Sequence, residues 1–193
     1  MTALILGLVI FLGAHSVRIF GEGWRSSTRQ RIGENAYKGV YTLASLAGFA
    51  LLVWGFGQAR QQPVLLWTPM VWTRHVAALL MLVSFVLLAA AYVPGNGIKA
   101  RTKDPMILGV KTWALAHLIA NGTLADVVLF GSFLAWAVLD FRAARQRRKA
   151  GREPAPSTPA SGARTAVTVV AGVVAWAAFA FWLHGLLIGV RPF

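Results

Sequence analysis

Apolar residues in this chain come in runs long enough to cross a lipid bilayer. The first, residues 2–20, is about 28 Å long as a helix, close to the thickness of a hydrocarbon core. Others cover residues 37–57, 72–93, 105–120, 124–140 and 165–190. Hydrophobic residues reach 57% of the sequence, above the roughly 45–50% of a soluble domain. The pattern predicts an all-α fold: a polytopic membrane helix bundle with about six transmembrane helices. No basic residue precedes the first run and no A-x-A-like cleavage site follows it, so an uncleaved anchor is expected.

The formal charge of +13 would suggest nucleic acid in a soluble protein. Here the basic residues lie between the apolar runs, and they lie there unevenly. Arg18, Arg25, Arg29, Arg31 and Lys38 follow the first run, and Lys99, Arg101 and Lys103 follow the third. Arg142, Arg145, Arg147, Arg148, Lys149, Arg152 and Arg164 follow the fifth. Only Arg60, Arg74 and Arg191 fall on the other side. Positive residues stay cytoplasmic, so both termini are expected outside (N-out/C-out). The surplus then serves insertion and anionic lipid headgroups, with no nucleic acid partner.

Between the runs the chain punctuates itself. Trp67 and Trp72 flank the third run as interface anchors, and Pro94-Gly95-Asn96-Gly97 stops it. Residues 104–140 read as two apolar helices joined by a tight Asn121-Gly122 turn. Asp104 suits an N-cap and Pro105 a first helical position. Thr123 and Asp126 make a capping box for the second helix. Basic residues and Pro154, Pro156 and Pro159 then describe a flexible linker. The expected division is a five-helix membrane domain at 1–142, a basic cytoplasmic linker at 143–164 and a C-terminal transmembrane helix at 165–193.

Cysteine is absent, which excludes disulfides, thiol nucleophiles, Cys-based zinc sites and iron–sulfur clusters. Nor is there a Ser-His-Asp pattern, a phosphate loop or a pair of carboxylates placed for acid–base work. Four histidines and six carboxylates carry what polar chemistry remains. His75 and His184 sit near the ends of their runs and suit helix packing or an interface. His15 and His117 lie deeper. His117 shares a helix face with Trp113 and Asn121, one turn either side, and a polar face in lipid must turn to protein. Neutral imidazole is a natural metal or haem ligand, and two of them on different helices suit a haem in a bundle core. Arg18, one turn from His15, suits a haem propionate or a lipid headgroup equally. Lys111 is expected to snorkel to the cytoplasmic end, and Asp126 to favour its own helix start. The tryptophans and Gly39, Ala47, Gly48, Gly55, Gly109 and Gly131 read as anchors and packing positions.

Several segments carry a resemblance. They are Ala14-His15-Ser16, Gly33-Glu34-Asn35-Ala36-Tyr37 with Ser45-Leu46-Ala47, Asp104-Pro105-Met106, Trp113-Ala114-Leu115-Ala116-His117-Leu118, Asn121-Gly122 and Phe130-Gly131-Ser132-Phe133. Together they resemble the NnrU family of bacterial membrane proteins and, more distantly, plant zeta-carotene isomerase. The likeness covers roughly residues 4–140, with a weaker tail at His184. The family implies a place in nitrite and nitric oxide metabolism of denitrifying bacteria, in the inner membrane. The isomerase implies haem b with axial histidines at positions matching His15 and His117. There a cysteine displaces one histidine when the haem is reduced, and a carotenoid cis double bond isomerises. Here that position is Ala114, and the isomerase-like R-H-P motif reads Lys103-Asp104-Pro105.

These readings lead to an expected haem b protein, a redox catalyst or sensor. Its metal ligands are His15 and His117, and Arg18, Trp113 and Asn121 also contact the cofactor. The alternatives are a haem-free scaffold or assembly factor with a membrane partner protein, a carotenoid isomerase-like enzyme and a small transporter subunit. Counted along the helices, His15 lies about 20 Å from the outer end and His117 about 6 Å. A shared haem therefore calls for tilt or a sunken turn. Otherwise His75 or His184 stands level with His117 as the second ligand.

Overall fold

The computed structural model describes residues 1–152 and 158–192. Their regular structure is helical: α1 (Thr2–Phe20), α2 (Glu22–Ile32), α3 (Glu34–Ala59), α4 (Val71–Tyr92), α5 (Gly97–Thr102), α6 (Pro105–Ala120), α7 (Leu124–Lys149), α8 (Gly162–Ala178), a π-helical turn (Phe179–Leu183) and α9 (His184–Ile188). Five helices are long and apolar enough to cross a membrane: α1, α3, α4, α7 and the continuous stretch Gly162–Ile188. The sixth expected span, α6, has only 16 residues, about 24 Å. The chain is an all-α, polytopic membrane protein. Its helices divide between two compact units, one of Met1–Thr68 with Gly122–Asp140, the other of Pro69–Asn121 with Phe141–Phe193.

In the first unit α1 packs on α3 through glycines. A side-chain carbon at Gly48 would stand 2.7 Å from the Phe11 amide nitrogen, and one at Gly7 or Gly55 would collide with the Leu52 or Leu4 backbone. Gly48 and Gly55 lie two turns apart, so one stripe of α3 lets the backbones meet. Leu4 is fully buried in that seam. Beyond α3 an extended connector runs against the start of α7: Leu66 and Trp67 donate their N–H groups to the Gly122 carbonyl, and Leu124 donates to the Val64 carbonyl, 2.9 Å away. A side chain at Gly122 would strike the Trp67 carbonyl.

In the second unit α4 is the centre, with α6 and α8 packed on it. Ser84 donates to the Gly109 carbonyl at 2.9 Å, and Gly172 of α8 lies where a side-chain carbon would sit 2.6 Å from the Val86 Cα. The turn after α4 is tied down by Asn96, which is buried. Its amide nitrogen donates to the carbonyls of Ala90 and Val93, and its side-chain oxygen accepts from the Lys99 N–H at 2.7 Å. The same turn is stitched to the start of α8: Ser161 donates to the Gly95 carbonyl, and the Gly97 N–H donates to Thr165 Oγ1.

Three boundaries differ from the sequence reading. The basic segment after α1 is helical: α2 carries an Arg25–Glu22 ion pair of 2.9 Å and ends at Gly33, whose φ is +84°. A helix of polar formers has no apolar period to reveal it. Second, α7 does not stop at Asp140 but runs to Lys149, so the basic residues 142–149 are helical, not linker. Last, α8 starts at Gly162. The linker prolines Pro154 and Pro156 lie outside the described residues.

Candidate functional site

His15 occupies the last turn but one of α1, and three aromatic rings surround it. Phe11, one turn earlier, stacks at a centroid distance of 4.3 Å, Tyr41 of α3 stands at 5.3 Å, and Trp136 of α7 stands perpendicular at 6.1 Å. Phe11 in turn touches Phe49 and Phe133. The imidazole Nδ1 lies 2.7 Å from the Phe11 carbonyl oxygen. A carbonyl can only accept, so the bond puts the proton of a neutral ring on Nδ1 and the lone pair on Nε2. A half-buried imidazole in an aromatic wall, with its tautomer fixed, has the form a metal-ligating histidine needs. Arg18, one turn on, is exposed in the last turn of α1.

His117 repeats the local geometry in the second unit. Its Nδ1 lies 2.9 Å from the Trp113 carbonyl, and the two rings stand 5.3 Å apart. Asn121 is also here, but its amide nitrogen is directed at the His117 carbonyl, 2.8 Å away, where it closes the helix C-terminus. Within the expected trio, the Trp113 ring therefore meets the His117 ring, while Asn121 meets the His117 backbone. Behind it, the Ala114 side chain is fully buried, as is Ala116.

The other two histidines differ in kind. His75 is exposed on α4. His184 follows the π-helical turn, with its Nδ1 2.6 Å from the Val190 carbonyl and its ring perpendicular to Phe179 at 5.7 Å. The fixed tautomer alone thus does not single out His15 and His117, but His15 has the aromatic enclosure that His75 lacks. Among the described residues no three His, Cys, Asp or Glu side chains cluster as a metal site would require.

Other charged groups have structural roles. Asp126 accepts from the Thr123 hydroxyl at 2.5 Å and from the Thr123 N–H at 3.2 Å, while Thr123 Oγ1 accepts from the Asp126 N–H, a reciprocal capping box. Asp104 stands at the N-cap of α6, yet its carboxylate does not cap; it pairs with Arg148 from the basic end of α7. The Lys111 ammonium lies over the Phe141 ring, 4.9 Å from its centroid.

Sequence reasoning missed Phe11, Tyr41 and Trp136. Phe11 was within reach, one turn from His15 on the same helix. Tyr41 and Trp136 come from two other helices, and nothing in linear spacing links them to position 15.

No curated protein and no solved structure matches the chain. A family model described as NnrU protein matches residues 3–192, nearly the whole length. By that match, the polytopic helical protein belongs to the NnrU family.

Proposed function

We propose that this NnrU-family protein binds haem b in the membrane, with His15 and His117 each offering an imidazole to iron, and that it serves nitrite or nitric oxide metabolism as a redox catalyst or sensor. The observation that supports the reading is the aromatic enclosure of His15 by Phe11, Tyr41 and Trp136, with a backbone contact of 2.7 Å that leaves the lone pair of a neutral ring on Nε2; His117 is anchored in the same way at 2.9 Å. In a chain without cysteine, imidazole is the strongest iron ligand that the membrane segments contain. Bound haem would supply one-electron exchange or binding of a small gas. The chain itself supports this by fixing each ring's tautomer, by walling His15 with Phe11, Tyr41 and Trp136 against water, and by offering Arg18 to an anionic group. Thiolate exchange of the isomerase kind has no residue to perform it at Ala114.

The absorption spectrum of protein expressed with ample haem tests this reading. Sharp low-spin bands that strengthen on reduction are expected. His15→Ala or His117→Ala should abolish them or open the iron to exogenous ligands, while His75→Ala and His184→Ala leave them unchanged. Absence of a Soret band in the wild type overturns the haem reading. One observation favours a second reading, a haem-free scaffold or assembly factor: the rings around His15 already account for its burial by packing alone.

A further inference from the structure

The Trp136 indole nitrogen is buried and makes no hydrogen bond. Tryptophans in membrane proteins ordinarily aim this N–H at headgroups or water, and a donor buried with no acceptor carries a penalty of its own. Yet Trp136 is held in place. It is set perpendicular to His15, 6.1 Å between ring centres, and lies one turn from Phe133 on the same side of α7, which touches Phe11 of the same cage. Asp140, one turn further along α7, does not accept from it.

We propose that Trp136 is a positioning residue of the His15 site, and that its indole N–H donates to a carboxylate oxygen of the molecule bound there. This rests on the haem reading: the hydrogen-bond acceptors at the edge of haem b are its two carboxylates. Trp136 then selects a carboxylate-bearing porphyrin and fixes its rotation about the His15–iron axis.

The test replaces Trp136 by Phe, which keeps an aromatic ring in the cage but removes the donor together with part of the indole's bulk. Two porphyrins titrate the detergent-solubilised, haem-depleted protein: hemin, and iron etioporphyrin, which carries ethyl groups in place of carboxylates. Trp136→Phe should weaken hemin about tenfold, the worth of one charge-assisted hydrogen bond, and leave iron etioporphyrin unchanged. An equal loss for both porphyrins means that Trp136 acts by packing and overturns the proposal. Failure of wild-type protein to bind either porphyrin overturns the haem reading, and the proposal with it. That outcome appears before any substitution is made, so the two failures are distinguishable.

Discussion

Asn96 shows how a single polar side chain can hold a membrane helix end together. It meets two carbonyls left over at the end of α4 and accepts from the Lys99 N–H in the first turn of α5, all from a buried position. Asn96→Ala removes three hydrogen bonds and leaves the carbonyls stranded, so a loss of about 2–3 kcal/mol is expected in detergent denaturation. Ser84→Ala, which loses one bond to Gly109, should cost about 1 kcal/mol in the same assay. A loss at Asn96 no greater than that at Ser84 would mean that water satisfies the turn. What the sequence disclosed at this scale was local. The Thr123–Asp126 box was legible because both partners lie within one turn. The partner of Asp104 was not, since Arg148 is 44 positions away and charge patterning does not say which arginine answers which carboxylate. The cage of His15 was hidden for the same reason, being assembled from three helices.

Among the helices, glycine placement decides which faces meet. Of the glycines expected to pack, Gly48, Gly55 and Gly109 face a neighbour closely, whereas Gly39 and Gly131 face nothing within 4 Å. Gly7 and Gly172 were not singled out, yet both sit against backbone. Composition marks small residues as candidates, but only the rotation of each helix says which are used. Gly48→Val should push α1 from α3 and cost about 1–3 kcal/mol of stability. Gly13→Val, on open surface of α1, should stay within about 0.5 kcal/mol. Equal tolerance of both, read from thermal melts in detergent, would refute the α1–α3 seam. Five of the six apolar runs were legible as spans because bilayer thickness imposes their length; α6 is shorter. The polar α2 and the basic end of α7 were not, since a helix stabilised by its own ion pairs or continued past the membrane carries no apolar stripe.

At the scale of the whole chain the open matter is sidedness, and it turns on α6. The charge pattern predicts that the segments after α1, α4 and α7 share the cytoplasmic side. That requires α6, the shortest apolar helix, to cross the membrane along with α7. At about 24 Å it is short of a 30 Å core by roughly one turn, a mismatch that local thinning of the bilayer absorbs at modest cost. The chain has no native cysteine to confuse a labelling experiment. Single substitutions Ser26→Cys, Gln61→Cys, Arg101→Cys and Ala150→Cys put thiols on exposed positions after α1, α3, α4 and α7. In intact spheroplasts an impermeant maleimide should label only Gln61→Cys; the other three should react only after permeabilisation. Labelling of Ala150→Cys while Arg101→Cys stays protected would show that α6 fails to cross, because the two positions fall on opposite sides when just one of α6 and α7 spans, and α7 is the longer. Labelling of Ser26→Cys and Arg101→Cys with Gln61→Cys protected would invert the whole arrangement, and the basic segments would then need an explanation other than retention by the cytoplasm.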